Sequence, residues 1–402
     1  MKILFISQRV PYPPDRGDRI PTYHFVKHMT ERHDVHLFAL AQEKGDLEKK
    51  NILAGFCKSV SLFKNNRWTG YMHALIGLFT LRPISVSLYY SKKMLDDVAR
   101  AVREKNIDVI YVYSSNMCMY AMNIRGVKKI WNIGDVDSDK WRQLFEYSKN
   151  ILKKAIFYYE WKGIGRIEKR LSAQEKYFVF HCETEKKKFR SYGTKESACY
   201  VIENGVDSRY FDADLEKQRR IEKRQALIFT GVLDYYLNIE SVRSFVHEVF
   251  PLIVKQVPEA CFYIAGKNPV REIRALDNNK NIFVVADPKD IREYFLPAKV
   301  AVVYMKMAQG FQNKILEALA MGVPVVTTRI SYEGVAKDGF VGGAEIGESP
   351  ADFAQKVVTL LKNDHHRASQ SLEGAQFIRK HYSWDSAYSG IDELLKKVDA
   401  EG

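Results

Sequence analysis

Short apolar runs bounded by turn residues recur along this chain, and stretches with helical spacing separate several of them. In the first half the runs lie near Ile3–Ser7, Val35–Leu40, Ser59–Phe63, Val109–Tyr113, Lys129–Ile133, Tyr177–Cys182 and Ala198–Glu203. The second half repeats the scheme at Ala226–Gly231, Ala260–Gly266, Ile282–Ala286, Val300–Met305 and Pro324–Thr328. Strands alternating with helices imply parallel sheets wrapped by helices. A chain of 402 residues exceeds one ordinary core, so two domains are expected. The expected class is α/β, with two facing Rossmann-like domains and a site in the cleft beyond the strands' carboxyl ends. The boundaries read as 1–208, 209–376 and 377–402, with Asp207–Arg224 as a polar linker. In the last segment Ser383 would cap a closing helix before Trp384, packing back across both domains.

Composition adds limits. Five cysteines, at 57, 118, 182, 199 and 261, show no paired spacing, which argues against a disulfide framework or a zinc site and for a reducing cytosol. The start, Met1-Lys-Ile-Leu-Phe-Ile-Ser7, turns polar too soon for a signal peptide and reads as a strand. The longest near-apolar stretch, Ala74–Leu81, is too short to span a bilayer. Charge is unevenly placed. Residues 1–200 hold 36 Lys and Arg against 21 Asp and Glu, and the rest hold 26 against 28, so the halves carry +15 and −2. That split points to an anionic surface or substrate facing the first half.

Residues 309–328, Gln-Gly-Phe-Gln-Asn-Lys-Ile-Leu-Glu-Ala-Leu-Ala-Met-Gly-Val-Pro-Val-Val-Thr-Thr, read as a loop, a short helix, a Gly stop and a buried strand. Ile315, Leu316, Leu319 and Ala320 recur at helical spacing and would pack the helix on a sheet. Gly310 permits close backbone approach, and helix-start amides suit a phosphate. Glu317 needs partners in that apolar setting, and a ribose diol would supply two.

The segment resembles the donor motif of retaining glycosyltransferase family 4, Glu-Gly-Phe-Gly, three residues, then Glu-Ala-Met-Ala. Gln309, Gly310, Phe311, Glu317, Ala318 and Ala320 fall in its register. Val201-Ile-Glu-Asn-Gly-Val-Asp-Ser-Arg-Tyr-Phe211, Phe229-Thr-Gly-Val232 and Phe262-Tyr-Ile-Ala-Gly-Lys267 are similar to further family motifs. Pro11-Tyr-Pro-Pro-Asp-Arg-Gly-Asp-Arg19, Asp135-Val-Asp-Ser-Asp-Lys-Trp-Arg142 and Gln312-Asn-Lys314 resemble sugar transferases of exosortase-associated exopolysaccharide loci. The resemblance implies the GT-B fold, an acceptor-binding first domain and a donor-binding second domain.

It also implies roles for residues. Glu317 would hold the ribose, with Asn313, Gly310, Phe311, Asn204 and Gly231 completing the donor site. Gln309 stands where the family has Glu, and a neutral amide cannot stabilise positive charge as a carboxylate would. Val232–Asn238 lacks the Arg and Lys common in that loop, so Lys314, then Lys267 and Arg271, are the candidate cations for the diphosphate. Gly17 and Asp18, in the polar loop after the first strand, and Asp135, after a strand, are the catalytic-side candidates. Asp135 and Asp137 also spell an Asp-X-Asp metal clamp, but the domain pattern is wrong for that fold and the family needs no metal. A helix-capping role would serve Asp137 and Asp139 equally.

The expected activity is therefore retaining transfer of a sugar from a nucleotide-sugar donor to a lipid-linked or oligosaccharide glycan, with no cofactor. The aromatic and basic stretch 151–170, with Tyr71–Tyr90, would rest on the anionic inner face of the cytoplasmic membrane. A nucleotide-sugar epimerase of the same fold is the alternative enzyme, separated by whether product forms without acceptor. A nucleic-acid-binding protein would also be basic, but no motif of that class is present.

Overall fold

The computed structural model describes residues 1–65, 67–79, 82–208, 210–211, 225–307 and 310–401. Most of the polar stretch 207–224, and Thr80 and Leu81 of the apolar run, lie outside them. The chain divides into two units, Met1–Glu203 with Tyr388–Gly402, and Asn204–Ala387. Both are Rossmann-like α/β units.

The first unit is built on seven parallel strands, β1 Lys2–Ser7, β2 Asp34–Ala41, β3 Ser59–Lys64, β4 Val109–Tyr113, β5 Lys128–Gly134, β6 Tyr177–Phe180 and β7 Cys199–Val201. Their order is β3-β2-β1-β4-β5-β6-β7. Central strands run Ile-Leu-Phe-Ile and Val-Ile-Tyr-Val-Tyr because helices cover both faces, which leaves no wet side for alternation. The order reverses between β1 and β4, so a crevice opens there beyond the strand ends, flanked by the loop after β1. Within this unit the carboxyl-terminal residues dock on the first helix, Arg19–Met29. Tyr388 stacks on His28 at 4.2 Å, and Asp392 bonds His28 Nε2 at 2.9 Å.

The second unit carries six parallel strands, β8 Ala226–Val232, β9 Cys261–Lys267, β10 Ile282–Ala286, β11 Ala298–Val303, β12 Val325–Thr327 and β13 Ala344–Ile346, in the order β10-β9-β8-β11-β12-β13. Here the order reverses between β8 and β11, beside the turn after β8 and the loop after β11. Phe245, Phe250, Phe262 and Phe353 fill the core on one face. Strand β13 has no counterpart among the expected runs. The closing stretch 377–398 holds parts of two helices, and Ser383 stands at the start of the second as expected, its Oγ accepting from the Ser386 amide at 3.4 Å. One helix, Asp364–His381, ends, the chain turns, and Trp384–Ala400 begins. At that turn the Val206 amide bonds the Tyr382 carbonyl at 2.8 Å, which holds the chain out of helical geometry.

At the carboxyl ends of β8 and β9, Gly231 and Gly266 are partners in register. A β-carbon on Gly266 would lie 1.7 Å from the Gly231 carbonyl oxygen, so only glycine fits. Gly266→Ala is expected to cost about 3 kcal/mol, because rigid backbone must move. Urea unfolding measures this, and an unchanged midpoint would mean the strands part freely at that rung.

Candidate functional site

In the second unit the site grows from the helix Asn313–Ala320. Ile315, Leu316, Ala318 and Leu319 are buried against the sheet, which leaves Asn313, Lys314 and Glu317 half-buried along one polar side. Gly310 turns the preceding loop with φ 53°. A β-carbon on Gly334 would meet the Gly310 carbonyl at 2.3 Å, so this loop is packed tightly. Gln309 lies outside the described residues.

Lys314 is held in place. Its Nζ donates to Asn238 Oδ1 at 2.5 Å and lies 4.7 Å from the centre of the Phe229 ring. Asn238 is itself oriented by donating Nδ2 to the Val232 carbonyl at 2.9 Å. Burial lowers the Lys314 ammonium to about 8 despite the neighbouring Glu317 charge. Burial likewise raises the Glu317 carboxyl to about 7, against the pull of Lys314. Among the described residues nothing donates a hydrogen bond to that carboxylate. Both groups keep some contact with solvent while protein surrounds most of each, as expected of groups lining a depression.

The other expected donor residues have different surroundings. Asn204 is buried, donates to Asn313 Oδ1 at 3.3 Å, and keeps its own Oδ1 without a partner among the described residues. Phe311 packs edge-on against Tyr382 at 5.5 Å, so its ring is bound into the protein. Gly231 makes room for Asn238, since a β-carbon there would lie 2.9 Å from Asn238 Nδ2. Lys267 closes β9, and Arg271 is exposed at the start of a one-turn helix. One cluster near Glu317 was not foreseen. Tyr210 lies over the Arg292 guanidinium at 4.2 Å and bonds Asp290 at 3.2 Å, and Glu317 adds to the upward pull on its phenol after burial and Asp290.

In the first unit, Gly17 is exposed in the turn before the first helix, and Asp18 pairs with Arg9 at 2.8 Å. Much of this loop's charge is structural. Arg19 is buried and faces Glu43 at 2.9 Å, Asp15 at 3.4 Å and Asp46 at 3.5 Å. Asp135 follows β5, and its buried Oδ1 has no partner among the described residues. Burial, then Glu185 and Asp137, raise its carboxyl to about 8. Asp137 differs, accepting from Ser115 at 2.6 Å, Asn116 at 3.2 Å and Lys140 at 2.5 Å. Asp139 binds Arg142 and Lys188, and both acids lie in a helix's first turn. No group of three metal-ligating side chains occurs among the described residues.

His181 stands beside Asp135. Its amide bonds the Gly134 carbonyl at 3.2 Å, and its ring sits where a β-carbon on Gly134 would come within 2.8 Å. Its Nε2 is buried without a partner among the described residues, and burial lowers the imidazole to about 4. The Tyr113 phenol is raised by burial and by the charges of Asp18 and Asp135, which sets it near both. The carboxyl ends of β4, β5 and β6 thus gather Tyr113, Asp135 and His181, groups able to hold a hydroxyl-bearing ligand.

Residues 22–210 match the family model Glycosyltransferase Family 4, and residues 224–363 match Glycosyl transferases group 1. The chain is a GT-B glycosyltransferase. It is 22% identical to an uncharacterized 44.6 kDa protein in the cps region of Klebsiella pneumoniae, over 97% of this chain and 98% of that one. It is 32% identical to a phosphatidyl-myo-inositol mannosyltransferase of Mycobacterium leprae, over 23% of this chain and 25% of the relative. Its fold is similar to Anabaena HepE in complex with UDP-glucose, with TM-score 0.67 and 15% identity, covering 99% of this chain and 100% of that one.

Asn238, Tyr210, Arg292, Tyr113 and His181 of this glycosyltransferase escaped the sequence reading. Tyr113 and His181 sit in or just after apolar strand runs, where they pass for core. Asn238 had a signal of sorts, since the missing loop cations left some other group to place Lys314. No helix among the described residues is long and apolar enough to cross a membrane.

The raised Glu317 carboxyl has a signed consequence. The folded state binds this proton more tightly than the unfolded chain does, so stability falls as pH rises from 4.5 to about 7. Glu317→Gln is therefore expected to stabilise the protein at neutral to mildly alkaline pH by about 1–3 kcal/mol, with the gain vanishing in acid. Urea melts across that range check it; equal stability at every pH would place the carboxylate in water.

Proposed function

We propose that the protein transfers a sugar, with retention, from a nucleotide-sugar donor to a lipid-linked glycan at the inner face of the cytoplasmic membrane. The observation that carries this reading is the half-buried Glu317 carboxylate, which has no hydrogen-bond donor among the described residues and lies one turn from a cation fixed by Asn238. A nucleoside diphosphate complements that pair. Its ribose diol would donate to Glu317, and its phosphates would lie near Lys314 and the helix-start amides. Asn313, Asn204, Gly310 and Gln309 would border the sugar, with Lys267 and Arg271 as outlying cations. The complex of Anabaena HepE with UDP-glucose supports the donor class.

In the transfer, the bond from sugar C1 to diphosphate oxygen breaks as the acceptor hydroxyl attacks from the same face. The hydroxyl proton passes to the departing phosphate oxygen. The oxocarbenium-like state is served by stabilising the diphosphate, which Lys314 would do without a metal. Asp135, Gly17 and Asp18 would border the acceptor side. A role in exopolysaccharide synthesis, of the exosortase-associated kind, draws support from the relative in a cps region, and a lipid acceptor from the mannosyltransferase likeness.

Glu317→Ala is expected to weaken donor binding roughly 10- to 100-fold, the worth of charge-assisted hydrogen bonds, while the fold persists. A thermal-shift screen of UDP- and GDP-sugars followed by calorimetry measures this; undiminished affinity in folded Glu317→Ala would remove the residue from the site. Turnover is expected to survive excess EDTA. Loss on chelation with recovery on adding magnesium or manganese would instead make Asp135 and Asp137 ligands.

A further inference from the structure

We propose that the exposed apolar side of the helix Arg67–Phe79, with the first turns of the helix Ile151–Gln174, inserts into the interface of an anionic phospholipid bilayer. On the first helix, Trp68, Tyr71, Met72 and Leu75 follow the spacing of one helix face and are 80%, 57%, 59% and 55% exposed. On the second, Ile151 and Leu152 are 81% and 74% exposed, and Ile156 is 49% exposed.

The first helix inverts the ordinary arrangement. Among its residues whose burial is described, the buried ones are small, Gly70, Ala74 and Gly77. They admit the segment Ile84–Leu88 so closely that a β-carbon on Gly70 would lie 3.1 Å from the Leu88 carbonyl, and one on Gly77 would collide with Ser87. Trp68, Tyr71, Met72 and Leu75 therefore face outward, where apolar surface left in water adds nothing to the fold. The two helices adjoin within one unit. Tyr159 donates to the Arg82 carbonyl at 2.9 Å, and Gly163 abuts Pro83.

Charge selects the occupant. The sequence has no Asp or Glu between Glu48 and Asp96, or between Glu146 and Glu160, while Lys64, Arg82, Lys149 and Lys153 are exposed in those spans. A second copy of the chain would set these cations against their own kind. A bilayer with anionic headgroups offers apolar depth for the stripe and phosphates for the rim. The Lys162 ammonium already sits 4.0 Å from the Trp161 ring centre, an aromatic and cationic pairing suited to the headgroup level. A 13-residue helix is too short to span, so it lies in the plane of the interface.

This inference deepens the membrane-side acceptor proposed above and rests on it for its biological sense. Its flotation test needs neither donor nor acceptor, and nucleotide-sugars enter only as a control on the variants. The full chain is floated with phosphatidylcholine vesicles, with and without phosphatidylglycerol, at low and high salt. Two folded variants are compared, Trp68→Ser with Leu75→Ser, and Ile151→Ser with Leu152→Ser. The wild type is expected to bind anionic vesicles and to keep part of that binding once salt screens the charges, since the apolar contribution is unscreened. Each variant is expected to lose roughly tenfold in partitioning while its thermal shift with UDP- or GDP-sugars matches the wild type. Wild type that does not float, or variants that float equally well, would overturn the proposal. So would a solution dimer that the serine variants convert to monomer, which would make a second copy the occupant. Failure of nucleotide-sugar binding alone would sink the donor reading and leave this one standing.

Discussion

The hydrogen bond from Lys314 to Asn238 depends on a series of steric facts that begins in the sheet. Gly231 and Gly266 let the ends of β8 and β9 approach without side chains, and the space above Gly231 is taken by the Asn238 amide. That amide is turned by the Val232 carbonyl, so its oxygen faces the 313–320 helix and receives the ammonium. The Phe229 ring supports the same cation from beneath. A lysine on a surface helix ordinarily samples many rotamers. This one is fixed by Phe229, Gly231 and Val232 of β8 and by Asn238 in the first turn of the helix Tyr236–Ser244.

That fixation has an electrostatic cost that the unit leaves standing. Lys314 and Glu317 are each drawn toward neutrality by burial, and neither is close enough to the other to form an ion pair among the described contacts. A helix selected for stability alone would place leucine or glutamine there. Retaining two desolvated charges of opposite sign, about one turn apart, makes sense when a ligand supplies the missing partners. The same logic separates Asp135 from Asp137. Asp137 is saturated by a serine, an asparagine and a lysine, while Asp135 and His181 each keep a buried atom without a partner among the described residues.

The polar loop after β1 shows the opposite use of charge. Pro-Pro-Asp-Arg-Gly-Asp is long and hydrophilic for a connector, yet Arg19 is almost wholly buried among Glu43, Asp15 and Asp46. Most of these charges neutralise one another and hold the loop's shape. The Glu317 carboxylate differs from them in having no opposite charge in an ion pair among the described residues, a distinction that only the tertiary structure reveals.

Twelve of the thirteen strands among the described residues were legible from apolar runs and turn residues, because parallel strands covered on both faces need continuous Val, Ile, Leu and Phe. The exception, β13, is three half-buried residues containing Glu345 beside two glycines, and it pairs only with β12, so it leaves no apolar run to detect. Glu317, Lys314 and Asp135 were also legible, since polar residues in apolar segments or after strands stand out by contrast and by register with a family motif. What the sequence could not yield was partnership. Whether Asn238 holds Lys314, whether Phe311 is taken up by Tyr382, or whether a large apolar side chain faces inward depends on residues tens of positions away. The outward turn of Trp68 and Leu75 was decided in the tertiary structure, because small residues on the opposite side let another helix pack closer there. Local composition fixes which elements form; the packing of distant elements fixes which side chains are left to meet a ligand.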